Sequence, residues 1–142
     1  MHFISLFEAR GIADAAMVEA EKRGVIKAAV VVTDVGGDIR AALRADGAGA
    51  FGVDTARGKA QAALGFGISS LRLAQIFGPA ASSTIGINAA TGGRFVPIGG
   101  GVLVVNPEGH VIGAAALSGG APEIDDEIVT LAVRAVGLQV QA

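Results

Sequence analysis

The sequence predicts an α+β protein, an antiparallel sheet with helices packed on it. Three observations lead there. Residues 27–44 and 102–117 each read as strand–turn–strand, and hairpins rather than β-α-β crossovers build an antiparallel sheet. The stretches around them carry apolar residues at intervals of three and four, the helical period. The chain has 142 residues, the size of one ordinary domain, with no linker, low-complexity tract or internal repeat. Residues 1–142 are therefore expected to form a single unit.

A first helix starts at Ser5. Ser5 and Glu8 have the S-x-x-E spacing of a capping box, in which each side chain satisfies a free backbone N–H of the first turn. Leu6, Ala9, Ala13, Ala16, Met17 and Ala20 follow at helical spacing, and Gly24 supplies the stop. Lys27 to Asp34 is short, apolar and rich in valine, the pattern of a well-buried strand. Gly36-Gly37 suits the positive φ of a tight hairpin, and Asp38 to Arg44 is the return strand. Val53 to Phe66 reads as a helix of small residues. Ser69 or Ser70 caps a short helix through Phe77, stopped by Gly78-Pro79.

Ala80 to Thr91 reads as loop, with Ile85 to Ala89 as a short strand, and Phe95 to Ile98 as a further strand leading to Gly99-Gly100-Gly101. Val102 to Val105 and His110 to Leu117 are apolar strands joined by the turn Asn106-Pro107-Glu108-Gly109. Pro122 opens a last helix, where its missing N–H costs nothing. Ile124, Ile128, Leu131, Ala135 and Leu138 mark its expected buried stripe.

Composition narrows the functions. Eleven basic against thirteen acidic residues leave a net charge of −2, with no basic footprint for nucleic acid and no polybasic arm for a membrane. Cysteine is absent, which excludes disulfides, thiolate catalysis and Cys-based metal sites. Two histidines, His2 and His110, cannot build a His-rich cage. No run approaches the roughly 20 apolar residues of a membrane span, and the N-terminus has no export signal, so a cytoplasmic protein is expected. Hydrophobic residues make up 51%, aromatic ones only 4%. Mean hydropathy is +0.58. A domain this small cannot hide all that apolar surface, so part of it is expected to close against further copies of the chain.

Several motifs invite chemistry and fail. Gly58-Lys59 lacks the first glycine of a phosphate loop, where Val53 stands, and Ala60 replaces the magnesium-binding Ser or Thr. Gly65-Phe66-Gly67 lacks the third glycine of a dinucleotide fingerprint. Ser118 sits in no G-x-S-x-G elbow. Others survive. Lys59 stands among alanines and glycines; desolvated, its amine can serve as base, Schiff-base nucleophile or anion anchor, and otherwise it snorkels or pairs with a carboxylate. Arg44 and Asp46 read as an ion pair shaping the turn into Gly47, or as ligand contacts. Asp125 and Asp126 suit the dipole of a first helical turn, and Asp125 can orient Ser118 or Arg44. Ser118-Gly119-Gly120 is a strand-to-helix turn whose N–H groups suit an anion. His110 is a surface residue or a haem or metal ligand, and His2 belongs to a mobile terminus.

Taken in order, Arg44-x-Asp46-Gly47, Lys59-Ala60, Gly99 to Gly101, and Gly113 followed by Ser118-Gly119 and Asp125 resemble the GlcG/HbpS-like family, the haem-degrading domain family DUF336. The resemblance implies a profilin-like antiparallel five-stranded sheet flanked by helices, and homo-oligomers of four to eight copies. It also implies a small-molecule ligand: haem or a related tetrapyrrole, or an organic acid in small-molecule catabolism. The chain departs from the family pattern at Gln61-Ala62-Ala63, where a hydroxyl is lost, at Val102-Leu103, where a proline is lost, and in a longer turn at Asn106 to Gly109. The resemblance carries over no axial haem ligand, which leaves His110, Lys59 or Met17. The expected site is Lys59 and Asp125 as catalytic groups, Arg44, Asp46, Gly100, Ser118 and Gly119 as ligand contacts, and His110 as metal ligand. The alternatives are a tetrapyrrole-binding protein, a cofactor-free enzyme in which Lys59 and Arg44 hold a carboxylate, and a non-catalytic oligomeric accessory protein.

Overall fold

A computed structural model describes residues 3–141; His2 lies outside that range. The element order is α1 (Leu6–Lys22), β1 (Ala29–Thr33), β2 (Ile39–Arg44), α2 (Gly52–Phe66), α3 (Ser70–Phe77), α4 (Ala81–Ala90), β3 (Gly101–Val105), β4 (Val111–Ser118), α5 (Pro122–Ala135) and β5 (Gln139–Val140). The strands form one five-stranded sheet in the order β2-β1-β4-β3-β5. Every pairing is antiparallel. This is the expected α+β architecture.

Helices cover both faces of the sheet, so its central strands β1, β3 and β4 are almost wholly buried. Successive side chains of a strand point to opposite faces. Val30 and Val32 meet α1 and α5, while Val31 meets α2. α1 lies against the sheet through Ala9, Ile12, Ala13, Ala16 and Ala20. Side chains this small let helix and sheet approach closely, and each larger neighbour buried there, such as Val30 or Ile128, contributes roughly 2 kcal/mol. The capping box forms as expected: Glu8 N donates to Ser5 Oγ and Ser5 N to Glu8 Oε1, each at 3.0 Å.

The two hairpin turns share one construction. Asp34 and Asn106 each open the turn, and a glycine three residues on, Gly37 or Gly109, takes a positive φ. The opening side chain then accepts from the N–H of Asp38 or His110. This is a three-residue loop ending in a left-handed glycine, so only the second glycine of Gly36-Gly37 needs its conformational freedom.

Four expectations are corrected. Residues 81–90 are helix α4, not loop and short strand; the helix buries no residue, so it prints no apolar stripe on the sequence. Asn88 Nδ2 holds it down by donating to Phe95 O at 2.7 Å. Phe95 to Ile98 is irregular chain, its backbone engaged by α2 through Val96 N to Gly58 O. The buried face of α5 is Asp125, Ile128, Val129, Ala132 and Val133; Leu131 is 42% exposed and Leu138 is buried beyond the helix end. In α1, Leu6 faces solvent and Ile12 takes the core position.

Candidate functional site

The sheet register gathers most of the expected residues at one end. Ala29 pairs with Arg44 on one side and with Ser118 on the other. Gly101 pairs with Ala116. Arg44, Ser118 and the Gly99–Gly101 run therefore share one end of the sheet, Arg44 and Ser118 about 10 Å apart across two strand spacings. His110 precedes β4 at the opposite end of the β3–β4 hairpin, roughly 25 Å from Ser118 by strand rise.

At the shared end α2 delivers Lys59 into the interior, where the side chain is 3% exposed. Its Nζ donates to Leu117 O at 2.9 Å and to Asp125 Oδ2 at 3.4 Å. Asp125, fully buried on α5, also accepts from Gly120 N at 3.0 Å through Oδ1. The pair thus links a helix on one face of the sheet to a helix on the other. Burial pushes Lys59 below the usual lysine range, against the pull of Asp125. Burial likewise pushes the Asp125 carboxyl up, opposed by Lys59 and by the Gly120 N–H.

Glycines make the room. A Cβ on Gly100, which has φ +126°, would run into Leu117 O and stand 3.0 Å from Lys59 Nζ. On Gly119, also at positive φ, it would strike Lys27 O, and on Gly120 it would lie 2.6 Å from Asp125 Oδ1. Gly100 and Gly120 are thus close-approach positions around the ion pair, while Gly119 lies against the backbone at Lys27. Ser118 Oγ donates to Gly52 O at 2.8 Å, so Asp125 orients neither Ser118 nor Arg44.

Arg44 and Asp46 are exposed and form no ion pair with each other, which corrects the pairing expected from sequence. Both instead line a groove of about 530 Å³ with Met17, Val18, Val25 and Ile26. Gly47 shapes its rim, since a Cβ there would come within 2.6 Å of Ile26 O. Val25 is shared ground: its Cγ1 would lie 3.2 Å from a Cβ on Gly120, so the buried pair stands behind one wall of the groove. Met17, singled out apart from Arg44 and Asp46 in the sequence, thus meets them on one surface.

Sequence reasoning missed Ser70. Ser69 is the N-cap of α3, while the buried Ser70 hydroxyl accepts from Gly101 N at 2.7 Å and donates to Ile98 O at 2.6 Å. The S-S pair was the only signal. Among the described residues no group of three or more His, Asp or Glu could hold a metal ion, so His110 meets no such cluster. No helix among them is long and apolar enough to cross a membrane.

No curated protein sequence matches the chain. Solved structures do. Klebsiella pneumoniae protein ORFY is 26% identical, with 96% of this chain and 92% of that one covered and a TM-score of 0.85. HbpS, known from Streptomyces reticuli, is 26% identical over 96% and 91%, with a TM-score of 0.79. The protein of a PduOC:heme complex, at 23% identity, shares the fold over 99% of both chains, with a TM-score of 0.85. The family described as haem degrading protein HbpS-like matches residues 4–134. With nearly its whole length matched, the chain belongs to the HbpS-like family.

Proposed function

We propose that this protein binds a tetrapyrrole, haem being the candidate, in the groove between α1 and the β1–β2 edge. The observation that carries the reading is the groove's lining: apolar Val18, Val25, Ile26 and Ala28 beside the Met17 thioether and the Arg44 guanidinium. Its volume of about 530 Å³ would hold part of a macrocycle and leave the rest at the surface. Val18 and Ile26, 54% and 72% exposed, offer apolar area that a macrocycle would cover. The donor set fits. In a chain without Cys or Tyr, Met17 would offer a soft sulfur ligand, and Arg44 would pair with a propionate. Glu21 and Asp46 also line the groove and repel an anionic edge, which leaves the Arg44 side for it. When bound, haem supplies a redox-active iron; the chain's own residues bind, orient and shield it.

In this reading Lys59 and Asp125 hold the wall behind the groove and do not touch the ligand. Family membership and the HbpS relatives support a haem-related role. We also place the chain in homo-oligomers of four to eight copies, since Phe7, Phe51 and Ile85 are 87%, 78% and 69% exposed in the single chain. Haemin at a hundredfold excess over its Kd should stabilise the protein by about 2.7 kcal/mol, read as a rise in Tm. Arg44→Ala, binding about tenfold more weakly, should lose about half of that rise and His110→Ala none. Equal rises for wild type and Arg44→Ala would put the ligand elsewhere.

A second reading rests on the opposed shifts of Lys59 and Asp125, which suit proton transfer to an organic acid once the pair is reached. Its test is thermal stabilisation by a panel of small carboxylates. Lys59→Ala should abolish it while the fold survives; retention of stabilisation by that variant removes the role.

A further inference from the structure

A second, smaller cavity lies on the α2 face, away from the α1 groove. It holds about 280 Å³ and is bounded by the β1–β2 turn at Gly36 and Gly37, by Gln61 and Ala62 of α2, and by Phe66, Arg94 and Phe95. We infer that this cavity binds a small aromatic monocarboxylate, its ring against Phe66 and Phe95 and its carboxylate on Arg94.

The wall is already aromatic. Phe66 and Phe95 lie with ring centroids 5.2 Å apart, and Phe77 packs edge-on against both at 5.4 and 5.3 Å. Phe95 is 2% exposed and fixed, whereas Phe66 keeps 45% of its surface open. An aromatic ring laid there gains the edge and offset contacts that such groups favour. Ala62 and Leu64 continue the apolar lining.

The polar end is equally defined. Arg94 Nε donates to Thr91 O at 2.8 Å, which holds the base of the guanidinium. Its terminal nitrogens have no partner among the described residues, and no Asp or Glu lines the cavity. Asp34 in the adjoining turn is occupied by the N–H groups of Gly36 and Asp38. The site therefore presents one unneutralised cation in a molecule of net charge −2. A guanidinium with its outer edge free suits a planar carboxylate through two parallel hydrogen bonds. Gln61 donates through Nε2 to Gly37 O at 3.2 Å, leaving its amide oxygen for a ring substituent.

Size limits the ligand. The cavity, about 280 Å³, has room for a single-ring acid. A tetrapyrrole is several times larger, so this site and the α1 groove do not compete.

The test uses benzoate with uniformly labelled full-length protein, followed by amide chemical shifts. Benzoate should move the Gly36, Gly37, Gln61 and Gly65 signals and saturate with a Kd of about 1 mM or tighter. The neutral isostere benzamide, and benzoate with Arg94→Ala, should each bind at least tenfold more weakly. Arg94 is exposed, so the variant keeps the fold, which unchanged shifts remote from the cavity will verify. Inorganic phosphate separates an aromatic-acid site from a general anion site: binding of phosphate as tight as benzoate overturns the proposal. Equal binding of benzamide and benzoate, or unchanged binding in Arg94→Ala, or no movement at these four glycine and glutamine signals up to 10 mM, about ten times that Kd, also overturns it.

Discussion

Lys59→Met strands the Asp125 carboxylate in the interior with only the Gly120 N–H for company. Breaking a buried pair from one side costs about 3–5 kcal/mol, and urea unfolding at pH 7 should show a loss of that size. The pH dependence of the variant has a definite sign. Asp125 is already pushed above the usual carboxylate range by burial, and losing Lys59 removes a group that opposes the push. The folded variant then holds a proton that the unfolded chain has released, so its stability falls as pH rises from the ordinary carboxylate pKa through the raised one. The deficit should therefore shrink in acid. Lys59→Met with Asp125→Asn keeps an acceptor for Gly120 and should recover at least half of the loss. Gly100→Ala, with its Cβ against Leu117 O at φ +126°, should cost about 2 kcal/mol or more in the same assay. Lys59 was legible in the sequence because a lone cation among alanines and glycines stands out. Asp125 was named for the same site, but its direct pairing with Lys59 was not legible, since 66 residues separate the two and only the packing of α2 and α5 on the sheet brings them together.

At the scale of the element, hairpins and strongly periodic helices were readable because local chemistry specifies them. The capping box of α1 shows this directly, and Ser5→Ala should destabilise the protein by about 1 kcal/mol. α4 shows the reverse. It has no buried residue, no side-chain cap at Ala80 and a glycine in its middle, so nothing in its pattern announces a helix. Gly86 has open space where a Cβ would go. Gly86→Ala should accordingly raise stability by about 0.5–1 kcal/mol, measured as a higher urea midpoint at unchanged slope. A fall would mean that residues 81–90 are not helical in solution. The face of α5 was misjudged for a different reason: its buried stripe includes a carboxylate, and hydrophobic periodicity alone assigns Asp125 to solvent.

Across the whole molecule, one sheet end concentrates the chemistry. The β2-β1-β4 register sets Arg44 near Ser118, the glycines open space for Lys59 and Asp125, and Val25 joins that buried pair to the groove holding Met17 and Arg44. The sequence disclosed these residues one by one, but not that Arg44 faces a groove while Lys59 faces the interior, a division that only the packing of helices on two faces creates. Titration of the protein with haemin, followed at the Soret band, tests this arrangement most directly. The account predicts saturation at one haem per chain, a displaced Soret maximum in Met17→Ala, binding weakened about tenfold in Arg44→Ala, and no change in His110→Ala. A Soret band indifferent to Met17 and Arg44, or lost in His110→Ala, would contradict it.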